Sequence, residues 1–470
     1  MMREAPRIVV AGLSGDSGKT LVSLGLLLLA AEAGVAVAAF KKGPDYIDAA
    51  WLTWGCNRAC RHLDTYLMGP EKTRLSFLTH AESAGLNVIE GNRGIYDGVD
   101  ARGTHSTAQL AKLLRAPVVL VVDATKMTRT AAALVLGCQK LDPEVAIAGL
   151  ILNQVSNRRH ENMLREAIEA YCGLPIVGVI PRAAVGETPL PGRHLGLVTP
   201  EEHSGIAALK QNLLSLVRGH IDLTGILEIA AGAPALAPPS EPVALVPDGR
   251  GLRIGYLRDS AFTFYYPDNL EAIERSCATL IPISALSASA LPDDLDALYI
   301  GGGFPETHGA SIAANQSFLE SVRRHAEGGL PIYAECGGLM LLARGFTWKG
   351  RRYPMSAVLP VEVEVCARPQ GHGYAHMVVD TPNPFFSVGT ELYGHEFHYS
   401  RIVPDGDLPP TACTLKRGAG SYRGHDGIIS NNVWASYVHL HAAATPQWAS
   451  GLLAAARRHN CHRQGSSRLA

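Results

Sequence analysis

The sequence predicts an α/β protein of two successive domains. Three observations carry this. Short, uninterrupted apolar runs alternate with helical stretches, as strands do when both faces of a parallel sheet are covered. Glycine-rich turns follow several of these runs directly, at the strand ends where α/β sheets bind ligands. An Ala- and Pro-rich stretch without periodicity, residues 230–251, separates the first αβ series from the second.

Length and composition agree. A chain of 470 residues has room for two to four domains. Hydrophobic residues at 47% and charged residues at 18% exclude a disordered chain. Lys and Arg number 42 against 43 Asp and Glu, so a net charge of -1 offers no global field to hold nucleic acid or an anionic membrane. The cysteines are odd in number and form no CxxC pair, which fits a reducing cytoplasm better than a disulfide framework. Cys56 with Cys60, and Cys461 between His459 and His462, lack the matching second pair of a zinc site.

In chain order, Ile8–Ala11 reads as a strand, followed by a glycine loop, a helix from Lys19 to about Gly34, and a strand over Ala36–Phe40. Leu21–Phe40 has a single charge, Glu32, and is long enough to span a bilayer. Gly34 divides it and a phosphate-type loop precedes it, so a buried helix and then a buried strand are expected, in a soluble cytoplasmic protein without a signal peptide. Strands follow at Val88–Glu90, Val118–Asp123, Ala148–Asn153 and Ile176–Ile180, with helices over Thr107–Leu114, Thr130–Leu141 and His160–Tyr171. The second series has strands at Arg253–Tyr256, Ala297–Ile300, Pro331–Ala334 and Val433–His441, and helices over Asn315–Glu327 and Gly337–Arg344. The expected division is a domain over 1–229, a linker over 230–251, a second domain over 252–456 and a fraying polar tail over 457–470.

Gly12-Leu-Ser-Gly-Asp-Ser-Gly-Lys-Thr20 joins the first strand to the first helix. Glycines let backbone N–H groups turn toward phosphate oxygens, Lys19 adds a positive charge, and the Thr20 hydroxyl can bind Mg²⁺. Five residues separate Gly12 from Gly18 where the strict P-loop pattern has four, which resembles the dethiobiotin synthetase-like ATPases. Such a site needs carboxylates. Asp45 and Asp48 follow the second strand, Glu90 ends the third, and Asp97 lies in the glycine-rich turn beyond it, all at the carboxyl edge of the sheet.

Leu330-Pro-Ile-Tyr-Ala-Glu-Cys336-Gly-Gly-Leu-Met-Leu reads as strand, sharp turn and helix, with Cys336 at the turn. The glycines permit a strained backbone, and N–H groups at a helix start favour a thiolate and can hold an oxyanion. Gly301-Gly-Gly-Phe-Pro-Glu306 could add a second donor. A thiol nucleophile needs a base, and Ser436-Tyr-Val-His-Leu-His441 offers His439 and His441, which a continuous strand would send to one face. His395 and His398 are weaker candidates that could equally line a metal or substrate site.

Together the motifs resemble the cobyrinic acid a,c-diamide synthases, two-domain amidotransferases of cobalamin biosynthesis. The resemblance covers nearly the whole chain and rests on GLSGDSGKT, KKGPDYID, EGNRGIYDG, AFTFYYPDNLEAI (261–273), GGGFPETH, YAECGGLML, GHEFHYS and YVHLH. Asn92-Arg93 departs toward polar residues. The resemblance implies an N-terminal P-loop domain like dethiobiotin synthetase and a C-terminal class I glutamine amidotransferase domain. It implies ATP- and glutamine-dependent amidation of the a and c acetates of cobyrinate through an acyl phosphate, with ammonia passing along a sheltered path between the domains. Gly15, Ser17, Gly18, Lys19 and Thr20 would bind ATP, Thr20, Asp45 and Glu90 would hold Mg²⁺, and Asp48 and Asp97 would lie near phosphate or substrate. Cys336 would be the nucleophile and His439 its base. The glutamate that class I enzymes usually place two residues after the base is replaced by His441, so a Cys-His-Glu triad is not expected. Hydrogenobyrinate a,c-diamide synthase, cobyric acid synthase and nickel-sirohydrochlorin diamide synthase share both domains, which leaves the macrocycle open; so does the oligomeric state, with a homodimer allowed. A partition-type ATPase, which would bind DNA or membranes, fits poorly, because the loop lacks its second lysine and such a protein has no use for the ECGG turn.

Overall fold

The computed structural model describes residues 2–182, 192–193, 196–203, 205–238, 247–403 and 406–467. The chain divides into two compact units, Met1–Pro242 and Val243–Ala470.

The first unit alternates strands and helices: β1 (Arg7–Gly12), α1 (Lys19–Glu32), β2 (Val37–Lys42), α2 (Tyr46–Cys56), β3 (Arg61–Leu63), α3 (Thr65–His80), β4 (Leu86–Gly94), α4 (Thr107–Leu113), β5 (Val118–Asp123), α5 (Arg129–Leu141), β6 (Ile147–Val155), α6 (Arg158–Cys172) and β7 (Ile176–Pro181). A small hairpin, β8 (Gly192–Arg193) with β9 (Gly196–Leu197), precedes α7 (Ile206–Val217) and α8 (Leu223–Ala231). The seven long strands form one sheet in the order β3-β2-β4-β1-β5-β6-β7, every neighbour parallel. Side chains alternate across it. Ile8 and Val10 belong to one buried cluster, and Val9 and Ala11 to the other on the opposite face. The apolar stretch from Leu21 is thus a buried helix followed by a buried strand, and no helix among the described residues is long and apolar enough to cross a membrane.

The expected linker begins inside this unit. Ala230 is a buried residue of α8. Leu236 is 3% exposed and its carbonyl accepts the N–H of Arg3, while the fully buried Arg7 guanidinium donates to Pro234 O at 2.6 Å. Residues 239–246 lie outside the described residues.

The second unit contains β10 (Arg253–Leu257), α9 (Pro267–Arg275), β11 (Thr279–Ile283), β12 (Ala297–Ile300), α10 (Gly309–Ala314), α11 (Gln316–Glu327), β13 (Ile332–Glu335) and α12 (Gly337–Leu342). Eight strands follow: β14 (Gly345–Trp348), β15 (Arg351–Pro354), β16 (Glu362–Val365), β17 (Gly371–Val379), β18 (Glu391–His398), β19 (Ser400–Val403), β20 (Thr411–Arg417) and β21 (His425–Ser430). The chain closes with β22 (Val433–Ser436), β23 (His439–Leu440) and α13 (Pro446–Ser467). The main sheet runs β11-β10-β12-β13-β22-β21-β20-β17-β18-β23, parallel as far as β22 and antiparallel beyond it. Strands β15, β14, β16 and β19 form a separate small sheet.

Two expectations fail here. Val433–His441 is not one strand. It breaks at Tyr437 and Val438, whose N–H groups turn to the buried carboxylate of Asp426 (3.1–3.2 Å), and β23 then pairs with β18. The antiparallel part of the sheet therefore folds back on itself, since β23 follows β22 by two residues and yet lies at the far edge. Nor does the chain fray from Arg457: it is helical to Ser467, with Asn460 and Arg463 donating to Asp296 at 2.8 and 2.7 Å. Asp296 is fully buried just before β12; the N–H of Arg253 donates to its Oδ2, and those two polar residues satisfy its Oδ1.

Candidate functional site

Two constellations stand at strand ends, one in each unit. In the first, β1 ends at Gly12 and the loop passes into α1 at Lys19. Gly18 has a φ of 90°, in the left-handed region, and a Cβ there would fall 2.1 Å from Asn153 Nδ2. Asn153, near the end of β6, donates to Ser17 O at 3.1 Å and so braces the loop from two strands away. A Cβ on Gly12 would fall 2.1 Å from Ser17 Oγ, while one on Gly15 would meet nothing within 4 Å. The loop is tightly packed at its base and open at its tip. Lys19 folds over it, donating to Ser14 O at 2.8 Å. Burial, and then Lys41, lower its pKa.

The carboxylates gather around a residue that the sequence reading gave no role. Lys41 Nζ lies 2.6 Å from Asp48 Oδ2 and 2.7 Å from Glu90 Oε1, and both Lys41 and Glu90 are buried. Thr20 Oγ1 donates to the same Glu90 oxygen at 3.0 Å. Burial opposes a charge on Lys41, but Asp48 and Glu90 outweigh it and raise its pKa. Burial raises the pKa of Glu90, whereas for Asp48 the pull of Lys41 overcomes burial and lowers it. Lys41 pulls both acids down, and only at Asp48 does the pull exceed burial. A clue was available, since a lysine within an otherwise apolar buried strand demands a counter-charge.

Asp45 caps α2, its Oδ1 accepting the N–H groups of Ile47 and Asp48 at 2.9 Å each, and burial followed by the nearby Asp48 pushes its pKa up to about 6. Asp97 Oδ2 accepts the N–H of Gly94 at 2.8 Å. This turn sits against the phosphate loop, because a Cβ on Gly94 would lie 2.8 Å from Leu13 O. The structure therefore unites Thr20, Asp48 and Glu90 through Lys41, with Asp45 and Asp97 alongside as cap and turn residues. Glu90 Oε2 is buried and without a hydrogen-bond partner. Among the described residues no group of three or more His, Cys, Asp or Glu is arranged to hold a metal by itself. An ion here would need the Thr20 hydroxyl, phosphate oxygens or water, as suits Mg²⁺.

In the second unit Cys336 stands between β13 and α12 with φ 48° and ψ −99°, a strained left-handed backbone at the head of a helix. Its N–H donates to Ser436 O at 2.7 Å, and its carbonyl accepts the N–H of Met340. Gly337 and Gly338 allow close approach, since Cβ atoms there would fall 3.1 Å from Gly303 N and 2.5 Å from Ile300 O. Burial, and then Glu306, push the Cys336 thiol well above its ordinary pKa. The imidazole of His439 packs on the same glycine segment: a Cβ on Gly302 would lie 2.6 Å from His439 Cε1.

The two histidines of the YVHLH motif do not share surroundings, contrary to the one-strand expectation. His439 is 2% exposed, and its Nδ1 lies 3.2 Å from Glu335 Oε2. His441 lies beyond the end of β23. Its Nδ1 accepts the N–H of Ala443, its ring packs 4.6 Å from that of Tyr266, and Nε2 is 3.7 Å from Asp268 Oδ2. The stretch 261–273 thereby acquires a role. Asn269 brackets this segment, donating to Leu440 O at 2.8 Å and accepting from Ala442 N at 2.7 Å. His395 faces His439 in the β18–β23 register, and His398 stacks on Tyr437 with ring centroids 3.8 Å apart. Glu335 and Asp426 were the residues missed.

Residues 8–195 match the family model of the CobQ/CobB/MinD/ParA nucleotide binding domain, and 253–447 match that of the CobB/CobQ-like glutamine amidotransferase domain. A protein of Magnetococcus marinus named cobyrinate a,c-diamide synthase is 42% identical over 94% of this chain and 96% of its own. Proteins of the same name from Dehalococcoides mccartyi (39% identical over 95% of this chain and 97% of theirs) and Archaeoglobus fulgidus (37%, over 93% and 94%) are also similar.

Proposed function

Because this chain belongs to the cobyrinate a,c-diamide synthase family, we propose that it is an ATP-dependent ligase that amidates the a and c acetates of cobyrinate, with glutamine as nitrogen donor. The observation that carries the reading is the pairing, in one chain, of a phosphate loop tied to Glu90 through Thr20 with a cysteine elbow packed on the Gly301–Gly303 turn, where Gly302 lies against His439.

A carboxylate is a poor acceptor for ammonia because its leaving group would be oxide. In the first unit a substrate carboxylate oxygen attacks the γ-phosphorus of ATP, ADP departs, and an acyl phosphate remains. Ammonia then attacks the acyl carbon and phosphate leaves. Gly15, Ser17, Gly18 and Lys19 hold the phosphates, and Lys19 stabilises the charge of the transferred group. Mg²⁺, which Thr20 and Glu90 with Asp45 would hold together with phosphate oxygens and water, would supply neutralisation of phosphate charge when bound. Asp48 and Asp97 border phosphate and substrate.

In the second unit Cys336 attacks the glutamine amide carbon and His439 moves the proton to departing ammonia. The amides beside Gly303 and Gly337 face the developing oxyanion, and water releases glutamate from the thioester. A thiol held protonated by burial requires this base, since little thiolate stands ready.

The test is product mass. Cobyrinate, ATP, Mg²⁺ and glutamine should yield the mass change of two acid-to-amide conversions, with an excess of the metal-free macrocycle as competitor. Preferred turnover of the metal-free macrocycle would move the substrate assignment to hydrogenobyrinate. Cys336→Ala should abolish turnover with glutamine while leaving turnover with added ammonium salt.

A further inference from the structure

We propose that Glu335, the residue immediately before the nucleophile, is the positioning carboxylate of His439 and completes a Cys336–His439–Glu335 triad assembled from an unusual place in the chain. The proposal rests on the reading of Cys336 and His439 given above.

The geometry is specific. Glu335 ends β13 and is fully buried, and its Oε2 lies 3.2 Å from His439 Nδ1. Its Oε1 accepts the N–H of Leu440 at 3.0 Å and the hydroxyl of Tyr333 at 3.2 Å, and Tyr299 donates to Oε2 at 3.3 Å. Three donors other than the imidazole therefore hold the carboxylate in one orientation. A buried carboxylate satisfied in this way is an acceptor for an Nδ1 proton, which fixes the tautomer whose Nε2 carries the basic lone pair. It also stabilises the imidazolium formed when His439 takes the proton of Cys336.

The residue at the position where class I enzymes place their glutamate cannot serve. His441 turns to Tyr266, Asp268 and the N–H of Ala443. Glu335 reaches the His439 imidazole from β13 instead. The parallel register that sets Glu335 opposite Ser436 places it beside the break that precedes His439, and Asp426 fixes that break. The carboxylate thus belongs to the nucleophile's strand rather than to the base's.

The full chain is assayed with cobyrinate and ATP, using either glutamine or ammonium chloride, for Glu335→Gln, Glu335→Asp and Cys336→Ala. Glu335→Gln should lower kcat with glutamine by about 100-fold or more. Its KM for glutamine should stay within about twofold, because Glu335 orients the base and does not bind the substrate. Turnover with ammonium should be unchanged, and Glu335→Asp should recover part of the lost rate. Glutamine turnover by Glu335→Gln within about threefold of the parent, while Cys336→Ala is inactive with glutamine, would overturn the proposal and leave the nucleophile assignment standing. Parallel loss with both nitrogen sources in both Glu335 variants would reduce Glu335 to a packing residue and equally overturn it. Survival of glutamine turnover in Cys336→Ala would instead overturn the reading on which the proposal rests.

Discussion

Lys41 and Glu90 form a buried ion pair 2.7 Å long on adjacent strands, and Thr20 of the first helix donates to the same carboxylate oxygen. The phosphate loop is thereby linked to the second and fourth strands of its sheet by charge as well as by packing. Removing one member of a buried pair strands the other, at a cost of about 3–5 kcal/mol. Lys41→Met should lose stability of that order in urea unfolding and lose turnover with either nitrogen source. A variant within about 1 kcal/mol of the parent would show that Asp48 and Glu90 need no internal cation.

Lys19→Ala and Glu90→Gln test carboxylate activation apart from glutamine use. Each should abolish product formation from both glutamine and ammonium while retaining the far-ultraviolet circular dichroism of the parent. Near-normal ammonium turnover in either would refute the phosphate-site assignment.

Gly18 is fixed by its φ of 90° and by the amide of Asn153. A left-handed backbone costs an L-residue roughly 1–2 kcal/mol, before the collision with Asn153 is counted. Gly18→Ala should weaken ATP binding by about tenfold or more, read by equilibrium dialysis. Unchanged affinity would mean that the loop rearranges freely.

Glu306 is the charge that most disfavours the Cys336 thiolate. An anion beside a thiol raises its pKa, so neutralising it must lower that pKa. In Glu306→Gln the pH profile of iodoacetamide alkylation at Cys336 should move toward acid. A profile that stays in place would show that burial alone holds the thiol protonated.

His439→Asn should remove glutamine-dependent turnover and spare ammonium turnover, whereas His441→Asn should cause the smaller loss expected of a packing contact. Glutaminase rates measured side by side decide the matter, and the reverse order would make His441 the base.

The parts of these sites legible in the sequence were those made by contiguous residues. A glycine loop between strand and helix, and Cys336 between an apolar strand and two glycines, each state their local geometry within a dozen residues. Glu335 stood in plain view beside Cys336, but nothing local reveals that its partner lies 104 residues away. Lys41 was half-hidden: Asp48, one of its counter-charges, lies seven residues on, but the other, Glu90, lies 49 residues on. Val433–His441 reads as one strand from its apolar pattern, and only the buried Asp426, reached through tertiary pairing, breaks it. The polar segment after Arg457 misled for a related reason: composition reports a solvent-facing helix surface, but not the single buried acid, Asp296, that tethers it.

The fold-back of β23 onto β18 has a consequence for the nascent chain. At roughly 5–20 residues per second, the stretch from Glu335 to His439 takes on the order of 5–20 s to leave the ribosome. Throughout that interval β13 lacks β22, its partner on one side, and the Glu335 carboxylate lacks the backbone donor supplied by Leu440. Trp448, which later covers the Tyr299 and Tyr333 rings, has not yet been made. The emerging amidotransferase unit therefore presents an open sheet edge beside Cys336 before any part of the base exists. Shielding during synthesis is a demand that this strand order places on the cell.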